Sequence, residues 1–158
     1  MRWTVVDSPI GPLSVASDGS GVSGLRFGAV DASSASDAVL SLAADELGRY
    51  FEGTLTEFTV PVSVPGGSPF EKAVWHEMTL IPYGGTVTYG AVAAAVGDPS
   101  AARAEGVACN RNPVAVIVPC HRIVGAGGKL VGFGGGLPKK RHLLELEARV
   151  ALTREWGS

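Results

Sequence analysis

The sequence lacks the features that mark membrane-spanning, secreted and disulfide-stabilised proteins. No apolar run in its 158 residues reaches the roughly 20 residues needed to cross a bilayer, and the N-terminus lacks the basic-then-apolar pattern of a signal peptide. The only two cysteines, Cys109 and Cys120, do not form the pattern of a disulfide framework. No set of Cys and His residues has the spacing of a zinc site. We therefore expect a cytoplasmic protein that contacts no membrane and needs no metal or other cofactor.

The sequence also lacks the excess of positive charge that is typical of nucleic-acid-binding proteins. Its 13 Lys and Arg residues are outnumbered by 15 Asp and Glu residues, for a net charge of −2. The balance is uneven along the chain: residues 1–99 carry 4 basic and 11 acidic side chains, whereas residues 100–158 carry 9 basic and 4 acidic ones. A polyanion would be attracted to the second part alone. By itself this asymmetry fits chance segregation of solvated charge equally well.

Residues 1–66 have the pattern of a small domain with one antiparallel sheet and one helix. Short apolar segments separated by turn residues predict three strands, at residues 2–6, 13–16 and 24–27. Apolar residues recur at helical spacing from Asp37 to Phe51, and Gly53 is placed to end that helix. Residues 58–64 are a candidate strand. Pro65-Gly66-Gly67 then breaks the chain and marks the boundary to a second domain, residues 67–158.

The second domain is predicted to be rich in helices. Capping residues and helical spacing predict four of them, at about residues 69–78, 89–96, 100–109 and 138–150. Thr88 can cap the second helix and Ser100 the third, with the sharp turn Gly97-Asp98-Pro99 between them. Two short helices joined in this way fit a helix-turn-helix, although an ordinary helical hairpin has the same pattern.

A thiol stands beside an imidazole in the segment Val118-Pro119-Cys120-His121-Arg122. The continuous apolar run 114–118 leads into it and predicts a buried strand. A thiol is a weak nucleophile at neutral pH until a base removes its proton, and a neighbouring histidine can be that base. Since adjacent residues on a strand point to opposite faces, a bridging water would be needed to join Cys120 to His121. An isolated Cys-His pair fits a buried structural cysteine beside a packed histidine just as well.

Other residues accompany this motif. Asn112-Pro113 precedes it, a glycine-rich segment from Gly125 to Gly136 follows it, and Tyr89-Gly90 and an arginine-bearing helix lie upstream. Over about residues 69–149 the set resembles the O6-alkylguanine-DNA alkyltransferases, suicide repair proteins that move an alkyl group from O6 of guanine, and also from O4 of thymine, to their own cysteine. The resemblance implies an α+β fold. A ribonuclease H-like N-terminal domain, with a small antiparallel sheet and a helix, would precede a winged helix-turn-helix domain carrying the active site.

The resemblance implies four catalytic residues: Cys120, His121, Glu147 and Tyr89. The cysteine would be the nucleophile, the histidine would take its proton through water, and the glutamate would orient the imidazole. From the sequence alone, Glu145 would serve as well as Glu147. The tyrosine would protonate the departing guanine, which a phenol can do. An amphipathic core residue explains Tyr89 equally well, and Tyr83 is the competing donor.

Double-stranded DNA is the partner that the resemblance implies, bound in the minor groove by a monomer with the alkylated guanine flipped out. The DNA-contacting residues would be Ala102, Arg103 and Ala104, with Arg111 either contacting a phosphate or simply solvated. Small residues let a helix approach the duplex, and Arg103 would replace the flipped base. Asn112 would be the hinge between this helix and the active-site segment, although a plain Asx turn explains it too. The alkylguanine pocket would be lined by Ile123, Phe133, Gly134 and Gly135.

Two residues depart from the family pattern. Glu105 stands where an apolar residue is expected, and Phe133 stands where tyrosine is frequent. Glu105 lies about 200° round the helix from Arg103, so it should face away from DNA. Lys139-Lys140-Arg141 places cations at the start of the last helix, against its dipole, which fits either phosphate contact or plain surface placement.

Two functions of other classes remain open. A DNA-binding regulator would use the helix-turn-helix without chemistry, and the presence of Cys120 argues against it. A cysteine hydrolase would use Cys120 and His121 on a soluble ester or peptide, and it leaves the helix-turn-helix unexplained.

Overall fold

The computed structural model of the chain describes residues 2–29, 37–64, 66–97, 102–133 and 135–156. Two compact units are present, one of Met1–Gly66 with Pro113–Ile117 and one of Gly67–Asn112 with Val118–Ser158. Across the described ranges the chain forms five α-helices and five strands, which confirms the α+β class. Within these ranges, no helix combines the length and apolar character needed to span a bilayer.

The first unit contains an antiparallel sheet of three strands, as predicted. Strands β1 (Arg2–Val6), β2 (Leu13–Ser17) and β3 (Val22–Phe27) lie in sequence order, with β2 in the centre. All five residues of β2 are buried. Val15 is paired with Thr4 on one side and with Leu25 on the other.

Helix α1 (Ala38–Glu52) lies within one residue of the predicted range, and Gly53 ends it as predicted. The Asp37 carboxylate accepts a hydrogen bond of 2.7 Å from the Leu40 N–H, which satisfies one of the free donors of the first turn. Gly53 ends the helix at φ 82°, a left-handed conformation that glycine adopts without strain. The buried face includes Leu40, Leu47 and Tyr50, so this helix supplies much of the apolar interior of the first unit.

The strand predicted at residues 58–64 is wrong. One bridge, between Val62 and Val22, is the pairing that the structure shows for this segment. Its backbone is bound instead by the buried Glu46 of α1, whose carboxylate accepts from the N–H groups of Thr59 and Val60 at 2.8–3.1 Å. The Thr59 hydroxyl donates to the same carboxylate at 2.6 Å. A side chain on a helix therefore accepts hydrogen bonds from N–H groups that would otherwise donate to the carbonyls of a neighbouring strand.

The apolar run 114–118 is buried as predicted, but the strand predicted there is wrong. Val114 makes a single bridge to Leu25. Val116 then has φ 72°, and the Ile117 N–H donates to the Ala115 carbonyl at 2.9 Å. A hydrogen bond two residues apart is a γ-turn, which at positive φ is rare and strained. This turn redirects the backbone and prevents the run from continuing as a strand.

The second unit is mostly helical, as predicted. Its elements are α2 (Pro69–Thr79), β4 (Val87–Thr88), α3 (Tyr89–Ala95), α4 (Ala102–Asn110), β5 (Ile123–Val124) and α5 (Leu137–Trp156). Ser68 and Glu71 form a reciprocal capping box at the start of α2, and Thr88 caps α3. The predicted cap Ser100 lies outside the described residues. The last helix is longer than predicted and continues to Trp156.

Candidate active site

Cys120 is presented by two tight turns rather than by a strand. After the turn at Val116, the Cys120 N–H donates to the Val118 carbonyl at 2.9 Å, and Pro119 between them has φ −84° and ψ 65°. These are the angles of the common γ-turn. Cys120–Arg122 then form one turn of 3₁₀ helix. The prediction that Cys120 and His121 point to opposite faces of a strand is therefore wrong, because the backbone is not extended here.

A short parallel pairing brings the start of α3 to the Cys-His-Arg motif. Strand β5 follows the motif directly and pairs with β4, so that Val87 lies opposite Ile123 and Thr88 opposite Val124. Thr88 is also the N-cap of α3, and its hydroxyl accepts from the Ala91 N–H at 3.1 Å. Tyr89 therefore begins its helix beside the segment that follows Cys120. Ile123, predicted to line the pocket, is fully buried in this pairing.

His121 and Glu147 form a buried hydrogen bond. The His121 Nε2 lies 2.7 Å from the Glu147 Oε2, and the two side chains are 0% and 1% exposed. The neighbouring cations hold Glu147 ionised, so its oxygens can only accept; the imidazole proton must then be on Nε2. This leaves the lone pair on Nδ1, which is buried and has no hydrogen-bond partner among the described residues. The histidine is thus oriented as a base with one free nitrogen.

Arg122 is a member of this cluster that the sequence analysis did not assign. Its Nε and Nη2 donate to the two Glu147 oxygens at 2.8 and 3.0 Å, and its Nη1 donates to the Ile81 carbonyl at 2.7 Å. The Gly84 N–H adds a bond of 3.2 Å to Glu147. Tyr83, the competing proton donor, places its ring 5.5 Å from the Arg122 guanidinium. The sequence gives one signal for Arg122, its position directly after His121.

The electrostatics of the cluster separate the roles of its members. Burial alone would raise the pKa of Glu147, but hydrogen bonds from His121 and Arg122 and their charges outweigh it and lower that pKa to about 2. Burial lowers the pKa of His121, so the imidazole is neutral at neutral pH. Burial also raises the pKa of Cys120, against a hydrogen bond from Asn112 and the positive charge of Lys140. The resting state is a thiol beside a neutral base, and proton transfer is needed before attack.

Tyr89 and Lys140 share one acceptor in the loop before α5. The Tyr89 hydroxyl donates to the Val131 carbonyl at 3.0 Å, and the Lys140 ammonium donates to the same carbonyl at 2.9 Å. The ammonium also lies 5.7 Å from the centre of the Tyr89 ring. Lys140 is fully buried and has no carboxylate partner among the described residues. Burial fits neither of the two roles expected from the sequence, phosphate contact or plain surface placement. In the sequence, the unusual feature of Lys140 is a cation at the start of a helix, where the helix dipole disfavours it.

Asn112 connects the end of α4 to the segment that carries Cys120. Its backbone N–H donates to the Cys109 carbonyl at 3.2 Å, and its side-chain amide donates to the Val118 carbonyl at 2.8 Å. The same Val118 carbonyl accepts from the Cys120 N–H. Asn112 thus links the end of α4 to the active-site turn, and its role as a hinge stays a prediction.

Helix α4 exposes two of the four residues predicted to contact DNA. Arg103 and Ala104 are exposed, and Arg111 is exposed just beyond the helix, with its Nη1 3.6 Å from the Glu71 carboxylate. The side chain of Ala102 lies outside the described residues. Glu105 is fully buried, as its angle from Arg103 predicts. Of the residues predicted to line the pocket, Phe133 and Gly135 are partly buried, and Gly134 lies outside the described residues.

Comparisons with known proteins match both parts of the chain. Residues 1–64 match the family model of the ribonuclease-like domain of 6-O-methylguanine DNA methyltransferase, and residues 69–149 match the model of its DNA-binding domain. The chain is 46% identical over 153 residues to the methylated-DNA--protein-cysteine methyltransferase of Mycobacterium tuberculosis, covering 93% of this chain and 92% of that one. A Methanosarcina acetivorans protein of the same name is 42% identical, with 93% and 98% covered.

A solved structure is similar along the same length. The crystal structure of Mycobacterium tuberculosis OGT in complex with DNA superposes with a TM-score of 0.87 at 45% identity, covering 95% of this chain and 94% of that one. Cys120, His121 and Glu147 therefore lie in a chain whose two parts match the family models and whose fold matches a solved structure. The chain belongs to the 6-O-methylguanine DNA methyltransferase family.

Proposed function

We propose that this protein repairs DNA by accepting the alkyl group of O6-alkylguanine on the Sγ of Cys120. The observation that carries the proposal is the His121–Glu147 hydrogen bond of 2.7 Å, which leaves Nδ1 of the residue directly after Cys120 without a partner among the described residues. Membership of the family supports it. The geometry does not favour a regulator without chemistry, because such a protein has no need for a buried and oriented base.

The reaction begins with the transfer of the thiol proton, through a water molecule, to the His121 Nδ1. The imidazolium that forms is stabilised by Glu147, which stays ionised because Arg122 holds it with two hydrogen bonds. The thiolate electron pair then forms the S–C bond with the alkyl carbon. The C–O6 bond breaks with its electrons going to guanine, which takes a proton from Tyr89. The products are the thioether and a normal guanine, with His121 left as an imidazolium and Tyr89 as a phenolate, so charge and protons balance.

Tyr89 is suited to the role of proton donor in the resting state. Burial, with smaller effects from Cys109, Glu105 and Cys120, raises its pKa to about 12, so the phenol keeps its proton at neutral pH. Its hydroxyl donates to the Val131 carbonyl in the structure and would exchange this acceptor for the base. Any interaction that stabilises the developing negative charge on its oxygen would then assist the transfer.

DNA binding is proposed to use the exposed face of α4. The relative from Mycobacterium tuberculosis is seen in complex with DNA. On this chain the exposed Arg103 and the small Ala104 beside it suit a helix that enters the minor groove and fills the space of a flipped base. Flipping is required because a base inside the stack cannot reach a partly buried thiol.

The reaction is proposed to occur once per molecule. A thioether has no easy route of hydrolysis, so Cys120 keeps the alkyl group and the protein is consumed. The same attack on O4-alkylthymine needs only a similar leaving oxygen, and we propose it as a second substrate.

Intact mass after mixing with a duplex that carries one O6-methylguanine tests the proposal. We expect the gain of one methyl group, located on Cys120 by peptide mapping, and repair that stops at one lesion per protein. The variant Cys120→Ser should gain no mass, whereas Cys109→Ser should react as the native chain does. Repeated turnover, or methyl on Cys109, would contradict the proposal. Hydrolysis of a soluble ester without any mass gain would support a cysteine hydrolase instead.

A further inference from the structure

Helix α4 carries a buried carboxyl group on the side opposite Arg103. Glu105 is 0% exposed, and its Oε1 accepts a hydrogen bond of 2.7 Å from the thiol of Cys109, one turn further along the helix. Its Oε2 is buried and has no hydrogen-bond partner among the described residues. The described salt bridges include no cation for this carboxyl group. Glu147, the other buried acid of this unit, is paired with the Arg122 guanidinium.

An unpaired carboxylate is costly to bury, so the neutral acid is the form that this environment stabilises. Burial raises the pKa of Glu105, and the hydrogen bond from Cys109 opposes this only in part. The Cys109 thiol adds no charge of its own, because burial and the adjacent carboxyl raise its pKa and keep it protonated. Glu105 and Cys109 therefore form a pair whose neutral form is favoured by burial.

This neutral pair lies close to Tyr89, the proposed proton donor. Gly106 follows Glu105 on α4, and a side-chain carbon added there would lie 4.0 Å from the Tyr89 ring. Negative charge on Cys109, Glu105 or Cys120 acts on the Tyr89 hydroxyl in the same direction, against the loss of its proton. A charge on Glu105 would thus oppose the proton transfer that the proposed reaction needs.

We propose that Glu105, held by Cys109 on the buried side of the DNA-binding helix, is a positioning residue that must remain a neutral acid, and that its ionisation turns repair off as pH rises. The inference rests on the proposed function. It concerns a residue at which this chain departs from the family pattern, so it describes a property of this chain.

Other titratable groups near the helix must be separated from Glu105. On the helices that pack against α4, these are Glu71, Lys72, His76 and Glu77 of α2 and Tyr89 of α3. Lys72 and His76 are exposed, and Glu71 is bound by the Ser68 N–H and by Arg111. Lys140, near Cys109 and Cys120, has its pKa lowered by burial and could cause a loss of activity at high pH by itself. Only a loss caused by Glu105 would disappear when that residue alone is made permanently neutral.

The test is the pH profile of the single-turnover rate of methyl transfer, compared between the native chain and Glu105→Gln. We expect equal rates at pH values below the point where Glu105 ionises, where both side chains are neutral. Above the point where Glu105 ionises, the native rate should fall by up to about tenfold per pH unit, while that of Glu105→Gln stays level until Lys140 titrates. Glu105→Met should behave as Glu105→Gln does, which covers a failure of either variant to fold. Glu145→Gln, which changes an exposed carboxylate on α5, should follow the native profile.

Thermal stability provides a second readout that does not depend on activity. Because folding raises the pKa of Glu105, the stability linked to its proton is complete below the unfolded value of 4.5 and is lost as pH rises through the folded value. The melting temperature of Glu105→Gln relative to the native chain should therefore increase with pH. Parallel pH profiles and a constant difference in melting temperature would overturn the inference. Absence of methyl transfer to Cys120 at every pH would instead overturn the proposed function.

Discussion

Replacing Glu147 by glutamine should destabilise the protein through the loss of one buried charge. The variant keeps the size of the side chain but leaves Arg122 buried without its counter-ion. Glu147 has a pKa of about 2 in the folded chain against an ordinary value of 4.5, a difference that corresponds to about 3 kcal/mol of stability at neutral pH. Breaking a buried ion pair costs a similar amount, about 3–5 kcal/mol. For a chain of this size, about 3 kcal/mol lowers the melting temperature by roughly 6–12 °C.

The exposed Glu145 provides a matched control for this experiment. It lies two residues earlier on α5 and makes no hydrogen bond or ion pair that the structure shows. Glu145→Gln should therefore change the stability by less than about 0.5 kcal/mol. The two variants also separate the two glutamates that the sequence leaves as alternatives, because only Glu147→Gln should slow alkyl transfer, by about 10²-fold or more, as the imidazole loses its fixed proton position.

The difference in stability between the native chain and Glu147→Gln should depend on pH. The folded chain lowers the pKa of Glu147, so the stability it adds is present above about pH 4.5 and is lost as pH falls towards 2. The variant lacks this contribution at every pH. Differential scanning fluorimetry of both proteins from pH 7 to pH 3 should show the gap in melting temperature narrowing on acidification. A gap that stays constant, or equal melting temperatures for Glu147→Gln and Glu145→Gln, would refute the assignment of a buried, ionised Glu147.

Two further predictions concern the proposed DNA reaction. Arg103→Ala should slow repair of a methylated duplex at least about tenfold while barely changing reaction with free O6-benzylguanine, because only the duplex requires base flipping, at a cost of a few kcal/mol. Equal slowing on both substrates would remove Arg103 from this role. Substitution of the exposed Arg154 by alanine is the control. Tyr89→Phe should slow single-turnover alkyl transfer by about 10²–10⁴-fold with DNA affinity nearly unchanged, because it removes a positioned acid and keeps the ring; an unchanged rate, with a loss in Tyr83→Phe, would move the role to Tyr83.

The elements that local chemistry dictates were the predictable part of the fold. Helix α1 begins after Asp37 and ends before Gly53 because a cap and a left-handed glycine act over three or four residues. Residues 58–64 were mispredicted because the N–H groups of Thr59 and Val60 donate to Glu46, about 13 positions away and on a helix. An apolar segment shows in its sequence that it will be buried, but it does not show which groups will satisfy its backbone.

In the candidate site, too, features set by neighbouring residues were predictable and those that depend on distant residues were not. Cys120 and His121 are adjacent in the chain, so their association is visible in the sequence. Glu147 was chosen over Glu145 through the resemblance to a family, and helical geometry alone offered no reason for the choice. The partners that fix it, the Arg122 guanidinium and the Gly84 N–H, come together only in the folded chain.

The buried cations show why charge counts in the sequence could not reveal the electrostatics of the site. Arg122 and Lys140 are two of nine basic residues in the second part of the chain, and a sequence reads all nine as attraction for a polyanion. In the folded chain Arg122 is neutralised by Glu147, so it contributes little field at the DNA-facing surface. Lys140 has no carboxylate partner in the described structure and acts on Cys120, lowering its pKa against the effect of burial. The buried charges that act on the reacting groups are thus removed from the surface balance, and the exposed Arg103 and Arg111 remain for the proposed contact with DNA.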